Sequence, residues 1–232
     1  MRWASETRPA VAIGVQVARR NFRSAVVAIA ACLALRSGVA RADEGPEPTY
    51  GRIAGDVTVV GGIGGVVATR GPRAEAELRL RYIESGGVFV SYEDGTTFGS
   101  AAEPGRFLTA GAELRPLFLY RWLQGREERV PRLDLAIDSF GLELGAVFAQ
   151  PAGAGFASLG GVQVGLGLEL PIWPRSTGPW IGLHGGVRWS DALLASGAVH
   201  DADDRSVFLA VTLAWHQVVL AHLVDEGDRA PR

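Results

Sequence analysis

Charged side chains of both signs alternate with apolar ones between residues 73 and 82. Successive side chains of a β-strand point to opposite sides, so a strand here has one apolar face and one charged face. The charged face carries Glu75, Glu77, Arg79 and Arg81. Such carboxylates and guanidinium groups can pair with charges on neighbouring strands, and surplus carboxylates can line a path for cations or protons.

The same arrangement recurs further along the chain. Other charged residues in the polar phase of predicted strands are Glu113, Arg115, Glu143, Glu169 and Arg188. If the strands close into a narrow barrel, these side chains lie inside it, where an unpaired charge costs far more free energy than a paired one. We therefore predict a network of ion pairs that fills the barrel interior, with a cation path or proton relay as the alternative.

The histidines form no strong catalytic or metal-binding pattern. Nucleophilic catalysis needs a histidine beside the nucleophile, whereas His184 and Ser190 share a strand phase but are six residues apart. His216 and His222 would lie about 20 Å apart on an extended strand, too far to share a metal ion. We predict no catalytic residue, metal or cofactor, with an acyl hydrolase acting on lipopolysaccharide as a minor alternative.

The composition excludes several classes of protein. The chain has 232 residues, is 47% hydrophobic and has a formal net charge of −2, with arginine as its only strongly basic residue type. It is too apolar to be disordered, and it lacks the positive field that binds nucleic acid. Its single cysteine excludes an internal disulfide framework.

Alternation with a period of two continues through most of the chain after residue 50. Eight predicted strands follow it, at residues 52–69, 73–82, 88–92, 107–115, 133–148, 162–170, 181–189 and 207–216. We expect short turns at residues 84–87 and 174–178, and long loops at 93–105 and 190–204. The phase of the alternation slips near Asp138, where either a bulge interrupts the fifth strand or that strand begins.

The first 42 residues contain the three parts of an export signal. Arginines within residues 19 to 23 precede an apolar run at 25 to 35, and an Ala-Arg-Ala sequence ends at Ala42. Cleavage after Ala42 would remove seven arginines and one glutamate and leave a formal charge of −8. Two alternatives are acylation at Cys32 within a lipobox and export through a twin-arginine motif.

Strand length and aromatic placement favour a barrel whose apolar face meets lipid. Several predicted strands reach ten residues, which suits tilted transmembrane strands of about 9 to 11 residues. Aromatic residues near the segment ends match the girdles of membrane barrels. They are Tyr82, Tyr92, Tyr120, Trp122, Trp173, Trp180, Trp189 and Trp215. The alternative is a soluble periplasmic β-barrel or β-sandwich that binds a small apolar ligand.

The leader, the eight alternating segments and the aromatic segment ends together resemble the small outer-membrane β-barrel proteins of Gram-negative bacteria. This resemblance covers residues 50 to 220 and implies an all-β, eight-stranded, antiparallel up-and-down transmembrane barrel in the cell outer membrane. It also implies a monomer whose partners are outer-membrane lipid, the barrel-assembly machinery and periplasmic chaperones.

These observations divide the chain into a signal peptide (1–42), an N-terminal linker (43–49), a barrel domain (50–220) and a polar tail (221–232). The expected function is that of a structural, adhesive or narrow-pore (porin-like) protein with a charge-filled interior and no catalytic activity. Residues 117 to 124 break the strand pattern and predict an anchor where the chain leaves the membrane, with docking of a periplasmic partner as the alternative.

Overall fold

The computed structural model describes residues 50, 52, 57–69, 71–95, 105–126, 128–150, 155–156, 160–189 and 205–221. The predictions for the signal peptide and linker, including Ala42 and Cys32, lie outside these residues. So do Ser190, His222, the loop at 190–204 and most of the loop at 93–105.

Within the described residues the chain forms eight strands and two short helices. The strands are β1 (Val57–Ala68), β2 (Gly71–Tyr82), β3 (Gly86–Asp94), β4 (Arg106–Leu114), β5 (Gly141–Gln150), β6 (Gly161–Pro171), β7 (Gly178–Trp189) and β8 (Arg205–Val219). The helices are α1 (Pro116–Gln124) and α2 (Pro131–Asp138). Each strand pairs antiparallel with the next, and β8 pairs with β1, so the sheet is a closed barrel. The predicted eight-stranded antiparallel barrel is confirmed.

The barrel wall separates charged from apolar side chains. On β2, Arg79 and Arg81 are buried inside the barrel, whereas Leu78 and Leu80 are about half exposed on its outer surface. Other exposed apolar residues on the outer face are Ile63, Val67, Val88, Val90, Leu142, Leu144, Val164, Leu166, Leu170, Ile181, Val207, Leu209, Val211 and Leu213. The interior is therefore charged and the exterior apolar, which reverses the usual arrangement of a soluble protein.

The two ends of the barrel differ. The helical end carries the β2–β3 turn at residues 83–85, the two helices between β4 and β5, and the β6–β7 turn at residues 172–177. Strand β1 begins at this end and β8 ends there. The other connections lie at the opposite end, which we call the loop end.

Both helices are defined by local signals that the alternation pattern does not contain. Each begins at a proline, which is well tolerated in the first turn because its missing N–H has no partner there anyway. Helix α1 ends at Gly125, whose φ of 59° is left-handed, and its N–H donates to the Trp122 carbonyl at 3.2 Å. Neither described helix is long and apolar enough to cross a membrane.

Helix α2 corrects one prediction and decides between the two explanations of the phase slip near Asp138. Residues 117–124 are part of α1, and residues 133–138, which alternate like a strand, belong to α2, so the fifth strand begins only at Gly141. Leu133 and Leu135 are two residues apart, yet Leu135 is buried and Leu133 exposed. The apolar residues of a short segment can fit both the strand period of 2 and the helix period of 3.6 residues. Here the packing of α2 against the barrel decided for the helix.

The β2–β3 turn contains two non-glycine residues with positive φ. Ile83 has φ 45° and Glu84 φ 53°, and the Ser85 N–H donates to the Tyr82 carbonyl at 3.0 Å. The strands pair Tyr82 with Gly86, so the connection has three residues, and its two positions with positive φ favour Asn or Gly. A β-branched residue is strained in this region, while Glu84 accepts a 2.7 Å hydrogen bond from Arg115 that holds the turn in place.

Replacing Ile83 with Asn should therefore stabilise the protein. Asparagine tolerates the left-handed conformation, so Ile83→Asn should raise the free energy of unfolding by about 1 kcal/mol. Urea titration of the refolded protein measures this difference. Ile83→Val is the control, because it keeps the β-branched strain and should change little. Equal stability of all three proteins would refute the assigned strain.

Candidate functional site

Arg79 lies at the centre of a buried charge network inside the barrel. Its Nε donates to Glu77 Oε2 at 2.7 Å. Its Nη1 donates to Glu113 Oε2 at 2.7 Å and to Glu143 Oε1 at 2.6 Å. The guanidinium group also lies over the Phe89 ring, 5.2 Å from its centroid. One cation from β2 is thus held by carboxylates from β2, β4 and β5.

Arg81 and Arg115 extend the network toward the helical end. Arg81 Nε donates to Glu113, and its Nη2 donates to Glu169 Oε1 at 2.6 Å. Arg115 donates to the other oxygen of Glu169 and, at 2.7 Å, to Glu84 Oε2. Arg81 on β2 and Glu169 on β6 are four strands apart in a ring of eight. Their ion pair therefore crosses the full width of the barrel.

A second cross-barrel pair lies nearer the loop end. Arg188 on β7 donates two hydrogen bonds to Glu93 on β3, one of them at 2.9 Å, and its Nε donates to Gln163 Oε1 at 2.6 Å. Its guanidinium carbon lies 4.0 Å from the centroid of the Phe208 ring and 5.3 Å from that of Phe107. Aromatic rings and ion pairs together occupy this part of the interior.

All nine charged residues predicted for the interior lie on the inner wall. Eight of them form the ion pairs described above, whereas Glu75 Oε2 has no hydrogen-bond partner among the described residues. Among the buried interior residues, the predicted network did not include Arg73, Glu84, Glu93, Gln163, His184 and His216. Glu93 shares the phase of Phe89 and Ser91, so extending the third predicted strand beyond Tyr92 would have found it.

Interior glycines make room for these side chains. A Cβ at Gly167 would lie 2.9 Å from His184 Nδ1 and 3.1 Å from Glu143 Oε1. A Cβ at Gly62 would lie 2.7 Å from Glu77 Oε1. These separations are shorter than van der Waals contacts, so the network uses the space that larger residues on the wall would occupy.

The helical end of the interior is covered by the two helices. Phe118 of α1 and Leu135 of α2 are buried, and they line one small cavity with Arg52, Arg115 and Trp180. Ser139 attaches the end of α2 to β6, because its hydroxyl donates to the Glu169 carbonyl at 2.6 Å. The helix pair therefore packs over the end of the charge network.

The helix pair has buried ion pairs of its own. Arg121 of α1 donates to Asp134 of α2, and its Nε lies 3.1 Å from Asp138 Oδ1. Asp138 also pairs with Arg52, which precedes β1. These contacts connect α1, α2 and the segment before the barrel.

The placement of Trp180 corrects one prediction about the aromatic girdle. Its side chain is only 3% exposed and lies inside the barrel, where it stacks on His216 at a centroid distance of 4.4 Å. Its Nε1 donates to the Ser176 carbonyl at 3.1 Å. Trp180 shares the strand phase of His184 and Arg188, so extending the seventh predicted strand by one residue toward its start would have placed it inside.

The other seven predicted girdle residues are exposed or partly exposed. Those at the helical end are Tyr82, Tyr120, Trp122, Trp173 and Trp215, and those near the loop end are Tyr92 and Trp189. Trp173 and Trp215 make an edge-to-face contact at 5.8 Å between centroids. Most of the exposed aromatic surface therefore surrounds the helical end.

His184 is enclosed by the network rather than placed at a surface. It is 4% exposed, its Nδ1 lies 2.8 Å from Glu143 Oε1, and Arg79 Nη2 is 3.1 Å away. The described residues contain no cluster of three His, Cys, Asp or Glu side chains that could hold a metal ion. Among the described residues, the carboxylates of the buried network pair with arginines and form no metal site.

No protein-family model, curated protein sequence or solved structure matches this chain. The described residues by themselves define a closed, eight-stranded antiparallel β-barrel with a charged interior.

Removing the charge of Glu113 should destabilise the barrel strongly. Glu113→Gln leaves Arg79 and Arg81 undercompensated, and breaking a buried ion pair on one side costs about 3 to 5 kcal/mol. Urea unfolding measures the change. Glu75→Gln is the matched control, because Glu75 lies on the same strand as Arg79 and Arg81 and takes no part in the ion pairs described above. Its unfolding free energy should be unchanged or higher, and similar losses in both variants would contradict the network.

Filling the space at Gly167 should also destabilise the protein. Gly167→Val pushes a side chain into His184 and Glu143, and overpacking costs about 1 to 3 kcal/mol. Gly61→Val is the control, since a Cβ at Gly61 meets nothing within 4 Å. Thermal or urea unfolding should separate the two variants, and tolerance of valine at Gly167 would show that the interior is not filled.

Proposed function

We propose that this chain is an outer-membrane β-barrel protein with a structural or adhesive role and no catalytic activity. The observation that supports the proposal is the reversed polarity of the barrel wall. Apolar residues of every strand face outward, while buried arginines and glutamates face one another inside. In water this arrangement would expose a large apolar surface. In a bilayer the same surface would contact the acyl chains of the lipids, which are equally apolar.

The dimensions of the barrel fit a bilayer. A strand of 12 residues, the length of β1, spans about 30 Å along the barrel axis when it is tilted by about 40°. The hydrocarbon core of a bilayer is about 30 Å thick. Closure of β1 on β8 also leaves no unpaired strand edge in lipid, where each unsatisfied backbone group costs several kcal/mol.

The packed interior favours a closed barrel over a pore. Ion pairs that cross the full width of the barrel and glycines without space for a Cβ leave little room for a hydrated ion. The same charges disfavour the soluble alternative, because a site for a small apolar ligand needs mostly apolar walls. They also disfavour the acyl hydrolase, because His184 is enclosed by the wall and cannot reach an acyl chain outside it.

Cell fractionation tests the location directly. In a Gram-negative host, the full chain should be recovered in the outer-membrane fraction, resist extraction by urea and require detergent for solubility. These properties follow from the outward apolar face of the barrel. A periplasmic β-barrel protein of known solubility serves as the control. Recovery of this chain in the soluble periplasm without detergent would refute the membrane location.

Arginine substitutions at two depths test which surface meets lipid. Leu166 lies in the middle of β6 and is 51% exposed, while Val67 lies near the loop end of β1 and is 66% exposed. In a membrane, Leu166→Arg should cost about 2 to 4 kcal/mol and Val67→Arg at most about 1 kcal/mol. Unfolding from lipid vesicles measures both. Equal, small costs would indicate that water surrounds both positions.

A further inference from the structure

Helix α1 exposes apolar side chains and buries its arginine. Leu117, Tyr120 and Leu123 recur every three residues on one side of the helix, and all are exposed, Leu123 by 78%. Arg121 is 9% exposed and pairs with two aspartates of α2. A helix on the surface of a soluble protein has the opposite arrangement, with its apolar side packed against the core.

The exposed side of α1 continues the apolar surface of the barrel. Leu114, the last residue of β4, is exposed on the outer wall and lies three residues before Leu117 in the chain. Ile172 and Trp173, in the β6–β7 turn at the same end, are also exposed. The backbone of Ile172 is connected to the helix pair, because Arg132 of α2 donates to its carbonyl at 2.9 Å.

Basic side chains predominate among the exposed charged residues described at this end of the barrel. In the described parts of the β4–β5 and β6–β7 connections, the exposed charged residues are Arg126, Arg129, Arg132, Arg175 and Glu128. Four cations thus accompany one anion. Long arginine side chains can keep their stems on an apolar surface while their guanidinium groups reach phosphate oxygens.

We propose that α1 is an interfacial helix, whose Leu117, Tyr120 and Leu123 insert at the boundary between acyl chains and headgroups of the membrane leaflet at the helical end. The occupant of this surface is anionic phospholipid, bound through apolar contact and through the exposed arginines at this end. Apolar insertion together with basic flanks is the arrangement that holds amphipathic helices in the plane of a membrane. The inference rests on the proposed membrane location, since it needs the outer wall of the barrel to face lipid.

The helix also connects the lipid boundary to the barrel interior. Phe118, one residue after Leu117, is buried and lines a small cavity with Arg115, and Arg115 pairs with Glu84 and Glu169. A helix held at the lipid surface therefore keeps its inner side packed on the end of the charge network. Insertion of α1 would fix both the depth of the barrel and the closure of its helical end.

Fluorescence quenching at single cysteines tests the position of α1. Cys32→Ser makes the full chain free of cysteine, and Leu123→Cys then introduces one labelling site. The labelled protein is reconstituted in vesicles of phosphatidylethanolamine and phosphatidylglycerol. Quenching is measured with aqueous iodide and with lipids that carry nitroxide groups at the headgroup or deep in the acyl chain.

Two matched variants provide the references. Glu128→Cys lies on the polar segment after α1 and should be quenched mainly by iodide. Leu166→Cys lies in the middle of β6 and should be quenched mainly by deep nitroxides. The probe at residue 123 should be quenched several-fold more strongly by headgroup nitroxides than by iodide.

The outcomes separate the inference from the proposed function. Iodide quenching at residue 123 equal to that at residue 128, with deep quenching at residue 166, would overturn the interfacial helix and leave the membrane barrel intact. Protection of residue 123 from both iodide and nitroxides would show that protein covers α1, which also overturns the inference. Iodide quenching at residue 166 would overturn the membrane location itself.

Discussion

Each arginine in the ion-pair network inside the barrel meets a carboxylate, because a buried charge without a partner costs several kcal/mol. Arg79, Arg81 and Arg188 lie on two strands, but the glutamates that receive their hydrogen bonds lie on five. Two of the ion pairs cross the full width of the barrel, β2 to β6 and β3 to β7. The network can therefore form only when the sheet is closed, and it joins strands that share no backbone hydrogen bonds.

The charged side chains inside the barrel determine where its wall must carry small residues. Eight strands enclose an interior that side chains can fill, and the charged side chains inside it need small residues on the wall beside them. Gly62 and Gly167 provide that space, since a Cβ at either would collide with a network side chain. Glycine is usually unfavourable in a strand because it packs no side chain. Here the lost packing is supplied by side chains from the neighbouring strands: Glu77 on β2 at Gly62, and His184 on β7 with Glu143 on β5 at Gly167.

The outer surface and the helical end follow from the same arrangement. With the polar residues enclosed, the apolar residues of each strand face outward, and the aromatic residues are concentrated around the end that carries α1 and α2. The helices extend both features, because Phe118 and Leu135 cover the network while Leu117 and Leu123 enlarge the apolar exterior. The apolar outer surface and the ion pairs inside are thus two consequences of one division of the chain into apolar and charged faces.

The period of two in the sequence predicted eight strands and the face on which the charged residues of those strands lie, whereas their closure into an antiparallel barrel was predicted from strand length, aromatic placement and the resemblance to small outer-membrane barrels. Strand alternation is a local property, so it is visible without any tertiary contact. The partner of each arginine and the helical fold of residues 131 to 138 were decided by tertiary structure. They depend on which strands face each other across the closed barrel and on how α2 packs against β6. Residues distant in sequence set both, so no local pattern contains them.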